Sequence, residues 1–230
     1  MIKHLGCIMS GNRTWAKRQG WLPWMGYKPG VQTIRRVLEF CLKKKIEYVS
    51  LYTFSIENFK RPEKEKNYLF EVLAKEEFNN MLDDAIEKGV RIKFVGDRSL
   101  FPQSVATMFA QAEERTASLK NLTVNFLFCY GGRQEIVHAA QEIARKVKAG
   151  IVQENEITPE LFAQNLWTEG IPDLDLIIRP DGEKRLSNFL LYQAAYAELY
   201  FLDCMWPGLS DEHLEDAWQY YNTVKRNFGA

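Results

Sequence analysis

Along the chain, stretches whose apolar residues run consecutively or alternate take turns with stretches in which they recur every three or four positions. The first pattern belongs to strands and the second to amphipathic helices. Residues 5–9 form a short apolar run ended by Ser10-Gly11-Asn12, and Asn12 or Ser10 is placed to cap a helix through Trp15 and Ala16. Pro23, Gly26, Pro29 and Gly30 mark a loop, after which Val31, Ile34, Val37, Leu38 and Cys41 give residues 31–45 one buried helical face. Residues 48–54, rich in β-branched and aromatic side chains, read as the second strand. Residues 63–88 are charged and helical in period, Gly89 closes that helix, and residues 90–95 alternate as a third strand. Further on, 104–120 predicts a helix, 122–130 a buried strand, 134–148 an amphipathic helix and 174–178 a strand that ends at Arg179.

Such alternation predicts an α/β fold: an open, mainly parallel β-sheet flanked by helices, joined by right-handed crossovers, with ligands beyond the carboxyl ends of the strands. At 230 residues, 46% of them hydrophobic, the chain suits a single domain spanning 1–230 with one core. Thirty basic and thirty acidic residues leave a formal charge of zero, so no overall field draws nucleic acid or anionic lipid. Anion binding must then be local, nucleic acid is not an expected partner, and membrane contact is at most peripheral. Cys7, Cys41, Cys129 and Cys204 are too scattered for a zinc site, which suits a reduced, cytoplasmic protein. The opening segment is too interrupted for a signal peptide, and no apolar run approaches ~18 residues.

The chemistry concentrates at three strand ends: residues 10–14, 54–62 and 179–188. In the third, Arg179 and Arg185 stand six residues apart, followed by the Ser187 hydroxyl and a candidate helix start, a set able to hold a phosphate or diphosphate. Pro180-Asp181-Gly182 serves equally as a turn. Gly11 and Asn12 form a glycine-containing turn into a helix, suited either to an anion or simply to capping. Glu198 lies within the apolar stretch 194–201, where a carboxylate must be paired, bind a metal or reach an exposed edge.

Together the clusters resemble the cis-prenyltransferases, the family that includes undecaprenyl diphosphate synthase. Arg179-x5-Arg185-Leu186-Ser187-Asn188-Phe189-Leu190-Leu191-Tyr192-Gln193, then Tyr196-Ala197-Glu198-Leu199-Tyr200-Phe201 and Trp206-Pro207, is similar to the family's C-terminal signature, and Phe54-Ser55-x2-Asn58-Phe59-x-Arg61-Pro62 to its central motif. The resemblance implies that Arg179, Arg185 and Ser187 hold isopentenyl diphosphate and that Glu198 helps bind Mg²⁺. It places Ser55, Asn58 and Arg61, the candidate catalytic residues, between that site and the allylic donor. It also implies a homodimer in which the segment beginning at Arg226 reaches the partner's site. The family's product tunnel is walled partly by the long helix, here with Tyr68, Leu69, Phe70, Leu73 and Phe78, bulk that predicts a short product.

The donor side departs from the family pattern. Met9-Ser10-Gly11-Asn12-Arg13-Thr14-Trp15-Ala16 has Ser10 where the family carries its metal-binding aspartate and Thr14 where it carries an arginine. Pro23 and Tyr27 replace a common arginine and a histidine, while Asp181 is a carboxylate where the family has a small residue and could recruit a displaced metal. Each lost charge-assisted contact is worth roughly 1.5–3 kcal/mol. Three functions follow as expectations. The first is a transferase of altered chemistry, by irregular coupling or with a different acceptor. The second is a lyase or cyclase that ionises one allylic diphosphate, with Trp21, Trp24 and Tyr27 facing the carbocation. The third is a non-catalytic subunit of an active relative.

Overall fold

A computed structural model describes residues 1–72 and 78–225. Its sheet is six-stranded and parallel at every pairing, in the order β3-β4-β2-β1-β5-β6, with strands β1 (His4–Cys7), β2 (Tyr48–Ser55), β3 (Val90–Val95), β4 (Leu122–Tyr130), β5 (Leu176–Arg179) and β6 (Glu198–Phe201). Helices α1 (Asn12–Arg18), α2 (Tyr27–Lys44), α3 (Glu63–Val72), α4 (Phe78–Glu87), α5 (Gln103–Thr116), α6 (Gly132–Lys148), α7 (Pro159–Ala163) and α8 (Asp211–Thr223) complete the fold. The expected open parallel sheet is therefore present. The strand β4 shows why its sequence read as one apolar run: eight of its nine residues are buried, as in a parallel strand covered on both faces.

The strand order decides where a ligand goes. From β1 the chain crosses to β2, β4 and β3 on one side, then returns to β5 and β6 on the other. The loops after β1 and β5 thus lie side by side at the topological switch point, where open parallel sheets bind ligands.

Neither Ser10 nor Asn12 caps α1, contrary to expectation. Gly11 occupies the N-cap position with φ 98°, and the Asn12 amide turns back to donate to the Met9 carbonyl at 3.1 Å. A Cβ on Gly26 would come 2.0 Å from the Asn12 carbonyl oxygen, so only glycine lets the turn before α2 approach the start of α1 this closely. Trp206, fully buried, pins the same corner: its indole N–H donates to the Gly30 carbonyl at 2.9 Å and its backbone N–H to Ser10 at 2.9 Å.

Beneath the sheet's amino end, His4 is fully buried, with Nδ1 2.7 Å from the Pro172 carbonyl and Nε2 2.8 Å from the Ser50 hydroxyl. The carbonyl accepts a hydrogen bond from Nδ1–H, and the neutral imidazole that burial favours accepts at Nε2 from Ser50. Burial lowers its pKa from 6.5 to about 4. The unfolded chain therefore binds a proton that the folded chain refuses between those values, and stability falls as pH drops through that window. A loss of about 2 kcal/mol is expected on going from pH 7 to pH 5. Urea unfolding checks it: His4→Gln should flatten this part of the pH dependence, and an equal loss in the variant contradicts the assignment.

Candidate functional site

The three polar clusters meet around one cavity of about 510 Å³, polar at its mouth and apolar at its floor. Residues 10–14, Tyr27, Ser55, Asn58, Arg61, Arg179, Asp181, Glu183, Arg185 and Ser187 all line it.

Arg179 ends β5 and is only 3% exposed. Its Nη1 donates to the Ser187 hydroxyl at 2.8 Å and to the Arg185 carbonyl, while its Nε is buried without a partner among the described residues. Burial, and then the neighbouring Arg185, disfavour its charge; Glu183 and Asp181 oppose them. A buried guanidinium with an unused donor is costly unless an anion completes it. Arg185 is more exposed and pairs with Glu183.

No helix begins after Ser187. Residues 186–196 run as turns, with Ser187 at φ 50° and Asn188 at φ 66°, so the groups offered to an anion here are side chains rather than a helix terminus. Asn188 holds this left-handed loop in place. Its Oδ1 accepts from the Arg133 N–H at 2.8 Å, its carbonyl from Gly132 at 2.8 Å, and its amide donates to Glu57 and Gln134 at 2.9 and 3.0 Å. One side chain thus ties the loops after β2 and β5 to the start of α6.

On the opposite wall, Asn58 Oδ1 accepts the Ser55 N–H at 3.2 Å, so these two shape the turn after β2. Beyond them lies a network that the sequence reading missed. Glu65, 2% exposed, accepts from the Tyr27 hydroxyl at 2.8 Å, while Arg61 donates to that hydroxyl at 2.6 Å. Arg13 Nε and Arg61 Nε stand 3.3 and 3.6 Å from the same carboxylate oxygen. Arg61 and Glu65 are four residues apart, a helical pairing that could have flagged the carboxylate. Burial pushes the Tyr27 phenol up, keeping it a proton donor at neutral pH.

The floor is aromatic: Phe54, Phe70, Phe94, Phe109, Phe126 and Phe128 all line it. Phe94 and Phe109 stack at 3.7 Å, and Phe128 meets Phe54, Phe70 and Phe109 at 5.5, 5.8 and 5.2 Å. Of the predicted tunnel residues, Leu69 and Phe70 line the cavity and Tyr68 does not, while Leu73 and the Phe78 side chain lie outside the described residues. Most of the floor comes instead from β3, β4 and α5.

Three predicted residues are not at this rim. Glu198 begins β6 opposite Leu176, at the far end of the strand pair whose near end places Arg179 beside Phe201. Trp21 and Trp24 do not line the cavity. Arg226 lies outside the described residues. Asp181 is at the rim with φ 81°, its carboxyl pushed up by burial and by Glu183 against the pull of Arg179, Arg18 and Arg185.

A family model described as an undecaprenyl diphosphate synthase matches residues 8–229. The chain is 41% identical to an isoprenyl transferase of Clostridium perfringens over 229 residues, covering 100% of this chain and 90% of the relative. It is 39% identical to a ditrans,polycis-undecaprenyl-diphosphate synthase of Legionella pneumophila, covering 99% and 95%. Its fold matches the crystal structure of lavandulyl diphosphate synthase from Lavandula x intermedia in complex with dimethylallyl diphosphate, with a TM-score of 0.94, 30% identity and coverage of 100% and 98%.

Proposed function

The chain belongs to the cis-prenyltransferase family, and from that premise we propose a transferase that uses isoprenyl diphosphates with an altered donor side and makes a short product. One observation carries this reading: Arg179, Arg185 and Ser187, the last two braced by hydrogen bonds from the Arg179 guanidinium, stand at the mouth of an apolar, phenylalanine-floored cavity. That combination suits a ligand with a diphosphate head and a hydrocarbon tail.

Arg179, Arg185 and Ser187 hold the diphosphate of the isopentenyl acceptor, and the allylic donor's tail lies against the phenylalanine floor, away from water. In prenyl transfer the allylic C1–O bond breaks with its electrons leaving on diphosphate, the acceptor's electron pair forms the new bond to C1, and the acceptor gives up a proton. Phe54 and Phe128 offer π faces to the positive charge that develops. On the donor side, Ser10 brings no charge, Thr14 no guanidinium, and Tyr27 engages Arg61 with Glu65. These features support irregular coupling or a changed acceptor over ordinary elongation. A cavity of about 510 Å³ suits a short allylic substrate, and the similar lavandulyl diphosphate synthase was crystallised in complex with dimethylallyl diphosphate.

Mg²⁺ belongs to the same reading. Asp181 and Glu183 line the same cavity, a hard-oxygen pair that suits Mg²⁺ once phosphate oxygens complete it. No group of three His, Cys, Asp or Glu among the described residues would hold a metal alone. Bound there, the ion would neutralise charge on the leaving diphosphate. A homodimer, with the Arg226 segment serving the partner's site, completes the proposal.

Purified protein with Mg²⁺ and dimethylallyl, geranyl or farnesyl diphosphate, with and without isopentenyl diphosphate, tests it by product mass. A short prenyl diphosphate from two substrates supports the transferase. Hydrocarbon or alcohol from the allylic substrate alone supports a lyase, and no product in any mixture supports a non-catalytic subunit. Long cis-polyprenyl diphosphates at an ordinary rate contradict the altered donor side. Phe128→Ala should lengthen the product by at least one isoprene unit and cost about 3–5 kcal/mol of stability, because it opens the floor between Phe54, Phe70 and Phe109. An unchanged product in a folded variant would show that Phe128 does not set the length.

A further inference from the structure

Two acidic side chains are almost wholly buried among the described residues, Glu65 at 2% and Glu135 at 0%. Glu135 is satisfied by neutral donors: the Tyr130 hydroxyl, the Thr168 N–H and hydroxyl, and the Gln193 amide. Glu65 has different company. A single oxygen, Oε1, accepts from the Tyr27 hydroxyl and faces the Nε atoms of Arg13 and Arg61 at 3.3 and 3.6 Å. Those three side chains line the cavity and Glu65 does not. They come from separate parts of the chain: Arg13 from α1, Tyr27 from the start of α2, and Arg61 from the segment between β2 and α3.

The surroundings explain how this carboxylate tolerates burial. Glu65 lies in the first turn of α3, where the positive end of the helix favours an acid, and two guanidiniums supply the remaining compensation. The acid in turn organises the bases. Nε atoms at 3.3 and 3.6 Å from one oxygen are no more than about 7 Å apart, so two like charges are kept together. Without the acid they would repel, and Arg13, whose side chain is 46% exposed, would turn to water. Two guanidiniums against one carboxylate leave one positive charge in excess, carried by the side chains at the cavity wall.

We propose that Glu65 is a positioning residue for the donor substrate: it holds Arg13 and Arg61 side by side on the cavity wall, so that together they grip the allylic diphosphate. The inference rests on the proposed function, which makes that diphosphate the substrate. Diphosphate oxygens accept charge-assisted hydrogen bonds from guanidiniums, and two donors already in place hold them more firmly than donors that must first be ordered. Glu65 also repels an anion, so glutamine in its place removes a repulsion together with a brace. The brace decides the sign. The carboxylate stands outside the cavity and its field reaches the ligand past two cations, whereas its loss frees two long side chains whose order must be restored at each binding event.

Calorimetric titration of the full chain in Mg²⁺ tests this without turnover. The probe is the thio analogue of dimethylallyl diphosphate, in which sulfur replaces the bridging oxygen and resists ionisation, and isopentenyl diphosphate is the comparison. Glu65→Gln should weaken binding of the analogue by roughly tenfold or more and leave that of isopentenyl diphosphate within about twofold. Glu65→Asp, which keeps the charge but withdraws it by one methylene, should lose roughly threefold, and it carries the test if Glu65→Gln does not fold by circular dichroism. Glu65→Gln combined with Arg13→Ala should weaken the analogue by clearly less than the product of the two single losses, since one acts through the other. Unchanged or tighter binding of the analogue by a folded Glu65 variant overturns the proposal, as do equal losses for both ligands, a full product in the double variant, or no binding of the analogue by the unaltered protein. Donor binding that depends on Glu65 in a protein that makes no prenyl product would count against the transferase reading alone.

Discussion

Replacing Arg179 with alanine is expected to abolish transferase activity, lowering the rate by at least ~10²–10³, and to weaken diphosphate binding by roughly 1.5–3 kcal/mol. The guanidinium is buried at the cavity rim and braces Ser187 and the Arg185 carbonyl. Its loss removes a ligand contact and the brace for two others. Arg179→Lys should rescue little, because an ammonium lacks the planar fork that serves Ser187, the carbonyl and an anion at once. Calorimetric titration with inorganic pyrophosphate measures the binding loss separately from turnover. Activity within a few-fold of the unaltered protein would place the diphosphate elsewhere.

The largest gain is expected from rebuilding the donor side as a unit. Ser10→Asp alone should change ordinary cis-elongation by no more than a few-fold, because Thr14 still lacks a guanidinium and the Tyr27 hydroxyl still takes a hydrogen bond from Arg61. Ser10→Asp, Thr14→Arg and Tyr27→His together should raise elongation of farnesyl diphosphate with isopentenyl diphosphate by about 10²-fold. The triple change restores an acid and a phosphate clamp, and it takes away the phenol that links Arg61 to Glu65. Such groups act together, so their separate effects should not add. Full recovery with Ser10→Asp alone would show that the network around Glu65 does not limit the donor site.

Legibility in the sequence followed how local each feature is. The strand β4 was readable to its ends because burial on both faces leaves a mostly apolar run, and β3 because it alternates through its first five residues. The strand β6 was not anticipated: it has four residues, all only partly buried or exposed, at the sheet's edge, and it exists through pairing with β5. The helix α8 was likewise unread.

The chain's own pattern determined an alternating α/β fold and put Arg179, Arg185 and Ser187 on one short loop after a strand, since hydrophobic period and near-neighbour spacing are properties of the local chain. Only the tertiary structure decided that Tyr27 from α2 reaches Arg61 and Glu65, that phenylalanines from β2, β3, β4, α3 and α5 converge on one floor, and that Glu198 stays away from the rim. Those contacts join residues far apart in sequence. They are set by strand order and side-chain packing, which no local period encodes.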